Sequence, residues 1–141
     1  MNSPAVPIEA FRYDSVLPLL AEARDRYGIT TLGDWDGQPG VVLRHDVDMD
    51  LAPAWELARR QCSMGIQATY LVMVSNPLYN LLCRRGRDML AQMTGWGFEI
   101  GLHFDPSVYD QADPEALAAE VDREAGILEA ATGQPVRSLS L

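Results

Sequence analysis

Val41-Val42-Leu43-Arg44-His45-Asp46-Val47-Asp48 decides how the chain is read. Its first half is apolar and largely β-branched, as in a buried strand. Its second half is a cluster of charge. Strand side chains alternate between faces, so Arg44, Asp46 and Asp48 fall on one side and His45 and Val47 on the other. Two carboxylates two residues apart on one face repel each other. Such a pair serves a cation, a proton or a substrate, or is simply solvated. Asp50 then opens a helical pattern, so the acids stand at the C-terminal end of a strand just before a helix, where α/β folds place their chemistry. The plainer alternative is that Asp48 or Asp50 caps that helix and Asp46 belongs to a loop.

Downstream, Leu51, Ala54, Trp55, Ala58 and Cys62 form one apolar stripe, predicting a helix over 50–64 that Gly65 closes. The almost wholly apolar run 68–74 suits a central strand covered on both faces. Asn76 as N-cap and Pro77 as first residue predict a helix over 77–94 that buries Leu78, Leu82, Met89, Leu90 and Met93, with Gly86 as a weak point. The next strand is 98–103, and Gly101 within it marks a close approach. Asp113, Pro114 and Gly133 bound a last helix with Leu117, Val121, Ala125 and Leu128 inward, and 136–141 reads as a fourth strand. Upstream, a helix is predicted over 15–27, with Leu20, Ala23 and Tyr27 on one face and Gly28 as its stop. Residues 29–40 read as a loop whose Trp35 packs on the core or the site rim, and 1–13 as an irregular lead-in. The order α-β-α-β-α-β-α-β predicts an α/β fold of alternating βα units: a parallel sheet with right-handed crossovers. Such units make up about half to two-thirds of a (β/α) barrel. The expectation is therefore one domain over 1–141, with either an open sheet or a partial barrel whose C-terminal part lies beyond Leu141.

The net charge of −9 argues against non-specific nucleic-acid binding and anionic membranes, and is compatible with cation binding. All eleven basic residues are Arg, which removes Schiff-base and P-loop lysine chemistry. Cys62 and Cys83 fall in helical patterns without metal spacing and read as reduced core or boundary residues of a cytoplasmic protein. No secretory leader is predicted, and no apolar stretch is long enough to span a membrane.

The chain has two histidines, His45 and His103. His103 ends the third strand at the level of the paired acids, and Asp105 follows two residues on. Carboxylate plus imidazole is a natural set of ligands for Zn²⁺ or another first-row divalent ion. One Asp could bind the ion while the other takes a proton from its water.

Arg44-His45-Asp46-Val47-Asp48, then Gly65-Ile66-Gln67-Ala68-Thr69-Tyr70, then Gly97-Phe98-Glu99-Ile100-Gly101-Leu102-His103, in this order and spacing, resemble the polysaccharide deacetylase family (NodB-homology domain), in the branch whose first motif reads Arg-His-Asp-Val-Asp. The resemblance covers roughly 41–105. It implies a distorted (β/α) barrel and a metal-dependent hydrolase of N-acetyl amides, typically on sugars, with another small amide as a further option. By position, Asp46 matches the general base, Asp48 the metal-binding Asp and His103 the first metal-binding His. Arg44 would tune Asp46, and His45 would support or pack. The family's second metal His falls on Ser107 here, with Asp105 as a possible substitute. No His follows His103, so a complete family catalytic set is not present, which suggests a truncated member.

Two other classes compete. Mg²⁺-dependent phosphatases of the haloacid-dehalogenase type, and sugar-nucleotide transferases, also place Asp-x-Asp at a strand end; the first usually follow it with Gly-Thr and a later Lys, where this chain has Met49-Asp50 and no Lys, and the second are larger. A catalytically incomplete fold relative could instead act as a metal-, sugar- or partner-binding module, with an exposed sheet edge favouring a homo-oligomer.

Overall fold

The computed structural model describes residues 12–109 and 113–141, so the lead-in predicted for 1–13 lies outside the described residues up to position 11. The described residues form six short strands and four α-helices, in the order α1 (Tyr13–Tyr27), β1 (Ile29–Thr30), β2 (Val41–Val42), β3 (Arg44–Val47), α2 (Leu51–Ser63), β4 (Thr69–Val72), α3 (Arg84–Gly95), β5 (Glu99–His103), α4 (Pro114–Thr132) and β6 (Leu139–Ser140). β1 pairs with β2, and β3, β4, β5 and β6 pair in that order, every pair parallel. The two ladders join at Leu43. Its N–H donates to the Thr30 carbonyl at 3.2 Å and its carbonyl accepts from the Thr69 N–H at 2.9 Å. Residues 41–47 thus act as the one strand the sequence predicts.

Strands that follow one another in chain order, joined by right-handed crossovers, send every helix to the same face. That face is apolar. Val47, Tyr70, Val72, Ile100 and Leu102 meet Leu51, Ala58, Leu90, Met93 and Leu128 from the helices in one buried core. Helix ends follow the local chemistry. Asp50 caps α2 by accepting from Ala52 N–H, and Asp113 caps α4 by accepting from the Glu115 and Ala116 N–H groups. Gly28 and Gly133 end α1 and α4 at φ 73° and 70°.

The other face is concave and polar, and its register sets up levels. Arg44 lies opposite Thr69 and Thr69 opposite Glu99; above them come Asp46, Leu71 and Gly101; above these, His103 lies opposite Ser140. On a flat sheet, three strand spacings of about 4.8 Å each would separate Arg44 from Ser140. The Arg44 guanidinium nevertheless reaches the Ser140 hydroxyl at 3.0 Å. The sheet therefore curls on itself, and the fold is the partial (β/α) barrel of parallel strands that the element order predicts. Gly101 is required by this curl: a Cβ there would stand 2.5 Å from Leu71 Cδ2 and 2.7 Å from the Ser138 carbonyl oxygen. The close approach read from Gly101 is thus the Leu71 side chain and the neighbouring strand.

Several local expectations are corrected. The helix predicted over 77–94 starts only at Arg84, with Cys83 as N-cap. Asn76 does not cap a helix. Its carboxamide oxygen accepts from Leu78 N–H at 2.7 Å, and Asn80 repeats the arrangement with Leu82 N–H at 2.9 Å. These Asx turns offer the backbone an alternative to the helix ladder. Leu78 and Leu82 are consequently exposed instead of buried. Gly86 is not a weak point inside a helix but part of its first turn, packed so closely that a Cβ would meet the Leu81 carbonyl oxygen at 2.5 Å. The loop predicted over 29–40 begins with β1, and Trp35 is exposed, its indole N–H donating to the Gln38 carbonyl. Tyr27 faces water and Leu17 is the buried residue of α1. Both cysteines are free, Cys62 half-buried and Cys83 exposed. No helix among the described residues is long and apolar enough to cross a membrane.

Candidate functional site

At the C-terminal ends of the strands the concave face opens to water. Asp48 leaves the end of β3 and His103 ends β5, with β4 between them. Their side chains meet over the intervening strand: His103 Nε2 lies 3.2 Å from Asp48 Oδ1. The curl of the sheet brings them together, because two strand spacings would hold such short side chains apart on a flat one. The imidazole side chain is 17% exposed and the carboxylate 59%. Nε2 thus faces Asp48, and Nδ1 is the ring's other polar atom. That Nδ1 is buried and has no hydrogen-bond partner among the described residues.

The backbone beneath Asp48 is held from the loop after β4. The Tyr79 hydroxyl donates to the Val47 carbonyl at 2.6 Å and accepts from Met73 N–H at 2.8 Å, tying the ends of β3 and β4. Burial pushes the Tyr79 phenol up to about 12, so it stays protonated and keeps donating. Asn76 adds a bond from its amide to the Asp48 carbonyl at 2.9 Å. Nothing in the sequence pattern singled out Tyr79, whose role depends on the turn that the helix prediction erased.

Asp46 lies one level below, gripped at both oxygens by Arg44: Nε to Oδ1 at 3.2 Å and Nη2 to Oδ2 at 2.6 Å. Hydrogen bonding to Asp46 raises the Arg44 guanidinium above its ordinary value. His45 points the other way, as alternation requires. It packs against Tyr70 with ring centroids 4.8 Å apart and meets Gln61 at 2.8 Å, and Gln61 in turn accepts from the Tyr70 hydroxyl at 2.7 Å. Burial outweighs the Gln61 bond and lowers the His45 imidazole, which belongs to the sheet–helix interface and not to the concave face. Asp105 caps a short 3₁₀ turn (Pro106–Val108) by accepting from Ser107 N–H at 2.9 Å. Ser107 hydrogen bonds, with the charge of His103 adding to them, lower its carboxyl below the ordinary range. Ser107 is exposed on that turn.

Asp48 stands on the ridge between two clefts of about 470 Å³ each. One runs beside β3 past Arg44, His45 and Asp46. The other lies over the end of β5 and holds His103, Asp105, Asn76 and Leu78. The Asp48–His103 pair fits two positions of a divalent-metal site, an oxygen and an imidazole nitrogen facing each other. Among the described residues, no group of three or more His, Cys, Asp or Glu side chains is arranged to hold a metal ion. Asp105 therefore does not complete a three-ligand set, and the acceptor that commonly supports the second nitrogen of a metal-bound histidine is also lacking at Nδ1. No protein-family model matches the chain, and no curated protein matches it.

Proposed function

We propose that this chain is a metal-dependent hydrolase of the polysaccharide deacetylase type, acting on the N-acetyl amide of a sugar or a related small amide. The observation that carries this reading is the 3.2 Å approach of Asp48 to His103 at the open end of a curled parallel sheet, above Asp46. Asp48 and His103 would contribute two ligands to a divalent ion, zinc by the nature of the donors. When bound, the ion would polarise the amide carbonyl and acidify a water.

The chain's own groups do the rest. Asp46 is the general base, taking the proton of the attacking water on a lone pair that Arg44 leaves free. Arg44 is a positioning residue: its two-point grip fixes the carboxylate plane relative to the strand. Tyr79 and Asn76 hold the Asp48 backbone so that its carboxylate stays over the cleft. The free thiols of Cys62 and Cys83 support a cytoplasmic location.

The test is acetate release from N-acetylglucosamine oligomers by the zinc-loaded chain. Asp46→Asn is expected to lower turnover by about 10²–10⁴-fold, the range for losing a general base, while leaving cation binding intact. A second reading is favoured by the absence of a third ligand beside Asp48 and His103 among the described residues. On that reading the chain is a fold relative that binds a cation or sugar without turnover. Stoichiometric binding with no acetate release in any of the variants would select it.

A further inference from the structure

Among the described residues, seven of the eleven arginines pair with a carboxylate. Arg84, Arg85 and Arg87 depart from this. All three are exposed, within one turn of α3, and none makes an ion pair or a side-chain hydrogen bond among the described residues. The chain carries twenty acids, and Asp88 follows directly, yet among the described residues no acid pairs with these cations. In a molecule of net charge −9, three free guanidinium groups in four residues form a local reversal of the field.

Their place in the fold gives the reversal a direction. α3 follows β4, so it starts at the same end of the barrel as Asp48 and His103. Arg85 lines a small cleft of about 150 Å³ with Tyr79, Asn80 and Asp50. Tyr79 is the residue whose hydroxyl holds Val47, next to Asp48. The turn 76–80 is thus a shared wall, with the arginines on one side and the Asp48–His103 cleft on the other. The arginine side cannot shift freely, because Gly86 is packed against the Leu81 and Asn80 carbonyls.

A guanidinium offers forked N–H donors that match phosphate oxygens, and it is weakly enough hydrated to give up water for them. We propose that Arg84, Arg85 and Arg87 bind a phosphate group carried by the substrate, which makes the substrate a phosphorylated N-acetyl sugar. The assignment of the sugar rests on the deacetylase reading above. The phosphate is held at the start of α3 while the acyl group reaches toward Asp46 and Asp48. The global negative charge restricts anion binding to this patch, so affinity falls steeply with added salt.

The experiment titrates the full chain with N-acetylglucosamine 1-phosphate, with N-acetylglucosamine and with inorganic phosphate, following backbone amide signals by NMR at low salt. The sugar phosphate is expected to shift the signals of residues 84–87 and to bind about tenfold or more tighter than the neutral sugar, the equivalent of one charge-assisted hydrogen bond. The triple variant Arg84→Gln, Arg85→Gln, Arg87→Gln should abolish that preference with an unchanged circular dichroism spectrum. Equal affinity for the two sugars, no binding of the sugar phosphate, or undiminished preference in the triple variant would overturn the proposal. Inorganic phosphate binding as tightly as the sugar phosphate would overturn the substrate assignment. None of these readouts requires turnover. Failure to release acetate, with the preference intact, would count against the deacetylase reading alone.

Discussion

The two ends of the concave face handle their carboxylates in opposite ways. At the N-terminal end Glu99 is buried, and both its oxygens are hydrogen-bonded. One oxygen accepts from the Thr69 hydroxyl at 2.6 Å and Gly33 N–H at 2.9 Å, the other from the Ser138 hydroxyl at 2.7 Å. Residues 31–34 fold across this end, and Arg137 closes over them by pairing with Asp34 at 2.7 Å. At the C-terminal end Asp48 is mostly in water, its imidazole partner has a buried nitrogen with no partner among the described residues, and a cleft opens on either side of it. Leu71 fills the level between and keeps the two ends apart. A saturated buried network specifies and holds structure, whereas an open, incompletely bonded one is free to take a ligand. The same sheet thus carries a buried carboxylate at its floor and partly solvated ones at its mouth.

Substitutions at the floor should cost stability, and those at the mouth should not. The largest effect is expected for Glu99→Ala, which strands the Thr69, Ser138 and Gly33 donors in the interior. A loss of roughly 3–5 kcal/mol in chemical denaturation follows from leaving several buried groups unpaired. Gly101→Ala should come next, at about 1–3 kcal/mol, because the added methyl collides with Leu71 and with strand backbone. A smaller, pH-dependent effect distinguishes the ends as well. Burial pushes the Glu99 carboxyl up, but its hydrogen bonds from Thr69, Ser138, Gly33 and Thr31 outweigh that and hold it below the ordinary 4.5. Its ionised form therefore stabilises the fold above that pH, and the contribution fades as pH falls through the folded-state value. Denaturation midpoints measured from pH 7 downward should drop more steeply below about 4.5 in the wild type than in Glu99→Gln. The smallest effect is expected for Asp48→Ala, within about 0.5 kcal/mol, since an exposed carboxylate is lost and the His103 nitrogen it leaves lines an open cleft. A destabilisation as large as that of Glu99→Ala would erase the distinction.

How much of this could be read in advance differs between the same regions. The mouth was legible because its residues sit at strand ends: an apolar run breaking into Asp46 and Asp48, and another ending at His103, place side chains by alternation alone. Alternation also sent His45 to the helix side. The floor was not legible. Glu99 sits on the same alternating face as Gly101 and His103, but its partners come from positions 33, 69 and 138, which only the register of four strands brings together. The helix predicted over 77–94 failed for a local reason. Asn76-Pro77 carries a strong helix-start signal, and the Asx turns at Asn76 and Asn80 use the same side-chain oxygens to turn the chain first. That turn supplies Tyr79 and Asn76 to the site, so the misread segment is the one that holds Asp48 in place. β1 escaped notice because two residues are too few to show a period.

The most direct test of the account is cation binding by the full chain, measured as bound Zn²⁺ or Co²⁺ after equilibrium dialysis, alongside Asp48→Ala, His103→Ala and Glu99→Gln. The account predicts one ion per wild-type chain, lost in both mouth variants, retained in Glu99→Gln, and reported for Co²⁺ by a change in its visible absorption from that of the free aqueous ion. A wild-type chain that binds no ion, or an ion that survives removal of both Asp48 and His103, would contradict it.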